Sequence, residues 1–327
     1  MKNSSNRWFE RRSSSQARIR GTPTRVWVSQ AVLQTVLQTK VCALFTLTFL
    51  LGGASVLASP LPAQNSSSDQ SASNIVPFKL YNDNLIVVKA TIGPIKNVNF
   101  IVDTGTNPSA ITPKIAERLQ LSGTVAAVDT LQGTIQTESI LVPDILVGPL
   151  HTVSIRVVVQ DLSFVERSLG IPLAGLIGLD ILNASTFTID YRNKNIAFGL
   201  AVTANSVHFE NTIPLLMIKA KLAGNDIRLI ADSGIAGLLI YRNRLPRVPM
   251  QVTVDPITSI STVGGTTHLK QFRATLSLGE NNLGAHDLLV ADVDSDPKSE
   301  FDGLLGFTKM GFHRVSFDFK NGLFGWE

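Results

Sequence analysis

Two similar stretches decide the fold: Leu85–Asp103, LIVVKATIGPIKNVNFIVD, and Leu215–Asp232, LLMIKAKLAGNDIRLIAD. Each stretch is rich in apolar and β-branched residues, which is typical of buried strands. Each ends on an Asp that is followed by a hydroxyl residue and a Gly, and the two aspartates are 129 residues apart. The chain therefore repeats one strand-and-turn unit at two distant places.

Two later landmarks recur at nearly the same offset. Leu176-Ile177-Gly178 corresponds to Leu304-Leu305-Gly306, and Phe187–Asn193 corresponds to Val315–Asn321, in both cases 128 residues further on. Two long copies in one order favour a pair of lobes related by a pseudo-twofold axis over a solenoid. We therefore predict a mostly β protein of two similar, closed barrel-like lobes with few short helices.

Individual strands are predicted from short apolar runs between turn residues. They are Leu85–Ile92, Val98–Val102, Ile140–Val147, Val153–Val159, Phe187–Tyr191 and Ile196–Phe198. One helix is predicted over Thr112–Leu119, because Thr112 suits the N-cap, Pro113 suits the first turn and the apolar residues form a stripe.

The N-terminal region differs from the rest in charge and hydropathy. Residues 1–40 hold eight basic residues and one acidic residue, so the net charge of +4 belongs to this region and the remainder carries −3. A slightly acidic remainder argues against a nucleic-acid partner. Residues 41–58 are apolar and uncharged, which predicts an export signal cleaved after Ala58, with the mature protein periplasmic or secreted. The alternative is an uncleaved membrane anchor that leaves the domain outside the cytoplasm.

Composition predicts four segments. They are a basic leader with the signal or anchor (1–58), a Ser/Pro-rich tether (59–76), an N-terminal lobe (77–204) and a C-terminal lobe (205–327). The single cysteine, Cys42, lies in the apolar segment, so disulfides, thiol catalysis and cysteine-ligated zinc are excluded after cleavage. The five histidines lack metal-ligand spacing. We therefore expect no metal and no cofactor.

The two Asp turns are the predicted catalytic centre. A single Asp-Thr-Gly is an ordinary turn, but a twofold repeat would bring Asp103 and Asp232 side by side. Adjacent carboxylates share a proton, so one accepts a proton from water while the other donates to a carbonyl oxygen. Residues predicted to support the pair, through hydroxyl bonds or tight turns, are Thr104, Gly105, Ser233 and Gly234.

These turns, the two hydrophobic-hydrophobic-Gly elements and the repeat together resemble aspartic proteases. The resemblance covers about residues 77–327 and is to single-chain, bilobal, bacterial retropepsin-like proteins and, more distantly, to pepsins. It implies an aspartic endopeptidase with Asp103 and Asp232 as the catalytic pair, and a polypeptide substrate lying extended between the lobes. It also implies a flap hairpin from each lobe, although a plain hairpin turn is the alternative at each place. The flap candidates are Gln132 and Gly133 in the first copy and Gly264 and Gly265 in the second.

The chain departs from the family after the Asp turns. Thr106-Asn107-Pro108 follows the first turn and Ile235-Ala236-Gly237 follows the second, and neither flap candidate contains a Tyr. Because Ile235 replaces a hydroxyl residue, we expect an altered pKa for Asp232. The alternative function is a catalytically weak or inactive peptide-binding or regulatory module with the protease fold. A zymogen with residues 59–76 as propeptide is a third possibility, and membrane contact is expected only through an uncleaved N-terminal segment.

Overall fold

The computed structural model describes residues 26–28 and 74–327, apart from 132, 202–203, 211–213, 246–250, 253–257, 263–264 and 298. The apolar segment 41–58 and nearly all of the tether lie outside the described residues, so signal, anchor and propeptide remain predictions. Among the residues that are described, no helix has the length and apolar character needed to cross a membrane.

The N-terminal half consists mainly of strands. They are β1 (Val26–Val28), β2 (Ile75–Pro77), β3 (Lys79–Tyr81), β4 (Leu85–Ile92), β5 (Ile95–Val102), β6 (Thr106–Asn107), β7 (Ala110–Ile111), β8 (Thr124–Thr130), β9 (Gly133–Val147), β10 (Leu150–Val159), β11 (Gly175–Ile177), β12 (Phe187–Asp190) and β13 (Asn195–Phe198). Three short helices interrupt them: α1 (Pro113–Arg118), α2 (Ser163–Leu169) and α3 (Leu179–Leu182). The predicted helix is α1, but Thr112 makes no capping hydrogen bond with its side chain. Its hydroxyl instead donates to the Leu173 carbonyl at 3.5 Å.

Six of these strands close into a barrel in the order β4-β5-β11-β7-β10-β9, with β9 pairing back to β4. Strand β11 lies parallel to β5, with Ile177 opposite Val102. The backbone N–H of the next residue, Asp103, donates to the Ile177 carbonyl at 3.0 Å. The Leu-Ile-Gly element therefore lies directly beside the first Asp turn.

The C-terminal half has strands in a similar succession. They are β14 (Asn205–Glu210), β15 (Met217–Leu222), β16 (Asn225–Ala231), β17 (Leu238–Tyr241), β18 (Gln251–Val252), β19 (Thr258–Thr262), β20 (Gly265–Leu278), β21 (Asn281–Ala291), β22 (Gly303–Leu305), β23 (Arg314–Asp318) and β24 (Leu323–Trp326). Two short 3-10 helices cover Arg242–Arg244 and Thr308–Met310.

Six of the C-terminal strands close into a second barrel in the order β15-β16-β22-β17-β21-β20, with β20 pairing back to β15. Strand β22 is parallel to β16, with Leu305 opposite Ala231, and the Asp232 N–H donates to the Leu305 carbonyl at 2.9 Å. Each barrel thus has the same strand order and the same strand beside its Asp turn. The predicted mostly β fold with two barrel-like lobes is confirmed.

A shared sheet joins the two halves, in the order β14-β24-β23-β12-β13-β2. At its centre β12 pairs antiparallel with β23, and Phe187 lies opposite Phe317. Both rings are fully buried and stack with centroids 4.8 Å apart. Aromatic pairs of this kind add about 1 kcal/mol to the burial of their area. One continuous core therefore holds the lobes together, while the predicted boundary between them at 204/205 stays a prediction.

Candidate active site

The two Asp turns meet between the lobes. Asp103 is 3% exposed and Asp232 is fully buried, and their side chains are hydrogen-bonded to each other. The glycine of each turn makes this approach possible. A Cβ at Gly105 would lie 2.4 Å from Cγ of Asp232, and one at Gly234 would lie 3.1 Å from Cγ of Asp103. A larger residue at position 105 would therefore displace the opposite carboxyl group.

Reciprocal hydrogen bonds between Thr104 and Ser233 hold the turns in register. The Thr104 N–H donates to Oγ of Ser233 at 3.0 Å, and the Ser233 N–H donates to Oγ1 of Thr104 at 2.9 Å. The Thr104 hydroxyl also donates to the Ala231 carbonyl at 2.9 Å, and the Ser233 hydroxyl donates to the Val102 carbonyl at 3.2 Å. We call this set of four bonds the cross-lobe clamp.

The two carboxyl groups have unlike polar surroundings. The Gly105 N–H donates to Oδ1 of Asp103 at 2.9 Å, and the Gly234 N–H donates to Oδ1 of Asp232 at 2.7 Å. Asp103 also accepts a bond from the Thr106 hydroxyl at Oδ2, at 2.8 Å. The equivalent C-terminal residue is Ile235, which is buried and apolar.

Burial is the main influence on the ionisation of Asp103. Removal from water raises the pKa of Asp103 to about 6, while the bonds from Thr106, Asp232 and Gly105 act in the opposite direction. A carboxyl group of this kind changes its charge under mildly acidic conditions, where its unperturbed counterpart would be fully ionised.

Asp180, a partly buried acid, supports the first Asp turn, and a comparison of the two copies does not select it. Asp180 accepts the Ser109 N–H at Oδ2 (2.9 Å) and the Ser109 hydroxyl at Oδ1 (2.6 Å). The Ser109 hydroxyl oxygen in turn accepts the Gly178 N–H at 2.9 Å. Burial raises the pKa of Asp180. Its C-terminal counterpart is Thr308, so an argument from matched pairs sets Asp180 aside.

Two asparagines of the N-terminal lobe also reach across to the other lobe. The Asn84 side-chain amide donates to the Gly234 carbonyl at 2.6 Å, and Asn84 is 1% exposed. The Asn107 amide donates to the Pro214 carbonyl at 2.9 Å. In the repeat, Pro214 is also the C-terminal counterpart of Asn84. Because these two residues are chemically unlike, a comparison of the copies does not predict the contact that Asn84 makes.

The flap candidates lie at hairpins where the structure describes them. In the first copy β8 and β9 form a hairpin with Thr130 opposite Gly133, and Gly133 has a φ of +124°. In the second copy Thr262 of β19 lies opposite Gly265 of β20. Gln132 and Gly264 lie outside the described residues, so the flap role stays a prediction.

A cavity of about 200 Å³ separates the β8–β9 hairpin from the C-terminal lobe. Its lining residues are Asp129, Thr130, Leu131, Gly133 and Thr134 from the hairpin, and Tyr241, Asp294, Ser295, Asp296 and Ser299 from the other lobe. Burial raises the pKa of Tyr241, and the charge of Asp232 adds to this rise. Tyr241 in the cavity wall is therefore close enough to Asp232 to interact with its charge.

Part of the N-terminal half is similar to a known protein family. Residues 88–181 match the family model of aspartyl proteases, a range that contains the first Asp turn, α1, the β8–β9 hairpin and most of α3. No curated protein matches the chain. The matched range is under a third of the chain, and it supports an aspartyl protease family and a protease-type function. Among the described residues, no three His, Cys, Asp or Glu side chains are grouped so as to hold a metal ion.

Proposed function

We propose that this protein is an aspartic endopeptidase of the bilobal, retropepsin-like type, with Asp103 and Asp232 as its catalytic pair. The observation that carries the proposal is the hydrogen-bonded contact of these two buried carboxyl groups, each delivered by the same turn of a like barrel. Paired carboxyl groups that share one proton supply a base and an acid at the same point.

The unlike surroundings of the two carboxyl groups support a division of roles between them. Asp103 accepts a hydroxyl bond from Thr106, which favours its ionised form, whereas Ile235 offers Asp232 no such bond. Ionised Asp103 therefore takes a proton from the attacking water, and protonated Asp232 donates its proton to the carbonyl oxygen of the substrate. Collapse of the tetrahedral intermediate breaks the C–N bond: the leaving amine takes the proton held by Asp103, and a hydroxyl group of the intermediate returns a proton to Asp232 as the carboxylic acid product forms.

The substrate is an unfolded or extended segment of polypeptide. A chain lying between the lobes would add as a strand, so main-chain hydrogen bonds give affinity and side-chain pockets give selectivity. The cavity beside the β8–β9 hairpin would receive a side chain of such a segment. In the cell we propose that the enzyme acts outside the cytoplasm, as the apolar segment 41–58 predicts.

Cleavage of a denatured protein between pH 3 and 7 tests the proposal. We expect Asp103→Asn and Asp232→Asn each to lower kcat/KM by at least about 1,000-fold, because each removes one half of a single acid–base unit. Asp318→Asn is the matched control, since Asp318 also recurs in the repeat but its carboxylate accepts bonds from Lys320 and Asn321 of its own turn and from the Thr186 hydroxyl.

Folded wild-type protein without cleavage activity would contradict the proposal and favour the peptide-binding module. Activity that survives in either Asp103→Asn or Asp232→Asn would equally contradict it.

A further inference from the structure

The cavity between the β8–β9 hairpin and the C-terminal lobe is lined by an excess of negative charge. We call this cavity of about 200 Å³ the hairpin pocket. Three carboxylates line it, Asp129 from the hairpin and Asp294 and Asp296 from the other lobe, and its described lining contains no basic side chain. Because the chain beyond the leader is only slightly acidic, this grouping is a local concentration of negative charge.

One arginine near the pocket offsets part of this charge. The Arg242 guanidinium donates to both carboxylate oxygens of Asp294, at 3.1 and 3.0 Å, and to Oδ1 of Asp292 at 2.6 Å. These bonds hold the pKa of Asp294 below its ordinary value. Since Arg242 faces two carboxylates, this side of the pocket keeps an excess of negative charge. Asp129 adds to it from the hairpin side, where the Thr134 hydroxyl donates to its Oδ1 and orients the carboxylate.

The pocket wall also contains a buried hydroxyl group. Tyr241 lines the pocket and is 4% exposed, and within the described part of the chain its hydroxyl makes no hydrogen bond. Burial raises the pKa of Tyr241, so this hydroxyl stays protonated and both donates and accepts hydrogen bonds. A buried hydroxyl without a partner costs free energy, which a polar ligand would recover. Tyr241 therefore indicates a ligand that has a polar end.

The hairpin pocket lies beside the proposed path of the substrate. Its hairpin side includes Thr130 and Gly133, the pair that closes the turn between β8 and β9. On its other side, Tyr241 is close enough to interact with the charge of Asp232. An extended polypeptide between the lobes would pass the pocket close to the bond that is cut. Alternate side chains of an extended chain point to one face, so one of them would enter.

We propose that the hairpin pocket selects a lysine or arginine side chain of the polypeptide substrate, and that Asp129 is the main residue that recognises its charge. This inference rests on the proposed function, because it names the side chain that the same site prefers. Lysine and arginine carry a charged end on an apolar stem. Leu131 and the Tyr241 ring offer apolar surface to the stem, and the carboxylates and the Tyr241 hydroxyl offer acceptors to the charged end.

The same arrangement rejects acidic side chains. A glutamate or aspartate in the pocket would place a further negative charge beside Asp129 and would lose its hydration without gaining a cation. Asp129 is the better recognition residue than Asp294, because both carboxylate oxygens of Asp294 already accept bonds from Arg242.

Cleavage of paired peptides tests the inference. Each pair carries lysine or norleucine, which has a similar stem without the charge, at successive positions on either side of a bond cut in the denatured protein. We expect kcat/KM to favour the lysine peptide by about fivefold at one position, and the ratio to fall as salt is added. Asp129→Asn should bring this ratio to about one. Asp226→Asn is the matched control and should keep it, because Asp226 lies outside the pocket beside Lys221.

Reversal of the charge gives a second readout. Asp129→Lys should favour a glutamate peptide over its norleucine partner at the same position, whereas the wild-type protein should disfavour it. A ratio of about one at every position in the wild-type protein would overturn the inference and leave the proposed function intact. A lysine preference that persists unchanged in Asp129→Asn would also overturn it.

Binding to the Asp103→Asn protein separates the pocket from the chemistry. The probes are labelled short peptide pools, random apart from a central lysine or norleucine, and fluorescence anisotropy measures their Kd. We expect the lysine pool to bind several-fold more tightly, and the difference to vanish in Asp103→Asn/Asp129→Asn. This result together with folded wild-type protein that cleaves nothing would support the pocket and contradict the proposed function. Equal binding of the two pools would overturn the inference.

Discussion

The two Asp turns share their inner contacts and differ in their outer ones. In both lobes the turn follows a buried strand, lies beside a parallel strand and contributes equally to the cross-lobe clamp. Beyond the clamp, the first turn continues into polar residues, with Thr106 bound to Asp103 and Ser109 bound to Asp180. The second turn continues into Ile235, Ala236 and Gly237.

The shared contacts bring the two carboxyl groups together, whereas the unlike contacts change their pKa values. The clamp needs matched residues because each lobe satisfies buried donors of the other, so symmetry is imposed by hydrogen bonding. A general base and a general acid need unlike pKa values, so the residues around the clamp must differ between the lobes. Asymmetry beyond the clamp is therefore what a shared-proton mechanism requires.

The largest effect is expected from breaking the clamp. Thr104→Val and Ser233→Ala each remove a hydroxyl that makes two buried bonds and leave a buried N–H without its acceptor. Each should lower the free energy of unfolding by about 3 kcal/mol, and the two costs should be similar because the clamp is reciprocal. Denaturant unfolding at neutral pH measures both. Thr188→Val, which loses one part-buried bond to the Leu200 carbonyl, is the control and should lower the free energy of unfolding by about 1 kcal/mol.

A large loss of unfolding free energy in only one of Thr104→Val and Ser233→Ala would show that the two lobes do not depend on each other equally. That result would contradict the reciprocal arrangement.

The shared features of the turns have a clear signal in the sequence. Both aspartates and both clamp residues follow from a repeat of 129 residues, since each appears twice in one order. Asp180 binds Ser109 beside the first turn, yet the repeat does not indicate it, because Thr308 stands at its place in the second copy. A contact that exists in one lobe only leaves no mark in a comparison of the two copies.

An intermediate effect is expected at Asp180. Asp180→Ala leaves the buried Ser109 N–H without an acceptor, so it should lower the free energy of unfolding by about 2 kcal/mol and lower kcat. The C-terminal counterpart, Thr308→Val, removes one long bond to the Ala236 carbonyl at 3.4 Å and should cost less than about 1 kcal/mol. Urea unfolding and steady-state kinetics of both variants measure the difference.

Ser109→Ala provides the coupling test for this prediction. The double variant Asp180→Ala/Ser109→Ala should lower the free energy of unfolding by less than the sum of the two single variants, because both substitutions remove the same hydrogen bonds. Additive costs would contradict a role of Asp180 through Ser109.

The smallest effect is a shift in the pH profile. Thr106→Val removes a hydrogen bond that lowers the pKa of Asp103, so this pKa should rise above about 6. Because the base must be ionised, the acidic limb of the kcat/KM profile should move to higher pH by about one unit. Thr106→Ser should restore the original limb. In the other lobe, Ile235→Thr should lower the pKa of Asp232 and move the alkaline limb to lower pH.

Opposite shifts would reverse the assignment of base and acid, with Asp232 as the base. If neither limb of the profile moves in Thr106→Val or Ile235→Thr, then neither Thr106 nor Ile235 controls the pH dependence, which contradicts the prediction.

The contacts that the sequence did not predict are those between unlike or distant segments. Local composition indicates strands and turns, and Leu85–Ile92 was predicted with its observed bounds. Strand β1 pairs with β6 and β8, whose residues are about 80 and 100 positions further along the chain. The basic charge of the surrounding leader instead predicts part of an export signal or anchor for this segment. Strand pairing depends on edges that exist only in the folded barrel.

The central claim is that Asp103 and Asp232 act as one chemical unit. Its most direct test is kcat/KM at the pH optimum for Asp103→Asn, Asp232→Asn and the double variant, with folding checked by circular dichroism. If the carboxyl groups share one proton, the double variant will lose no more activity than either single variant. Losses that multiply in the double variant, or full activity in either single variant, would contradict the claim.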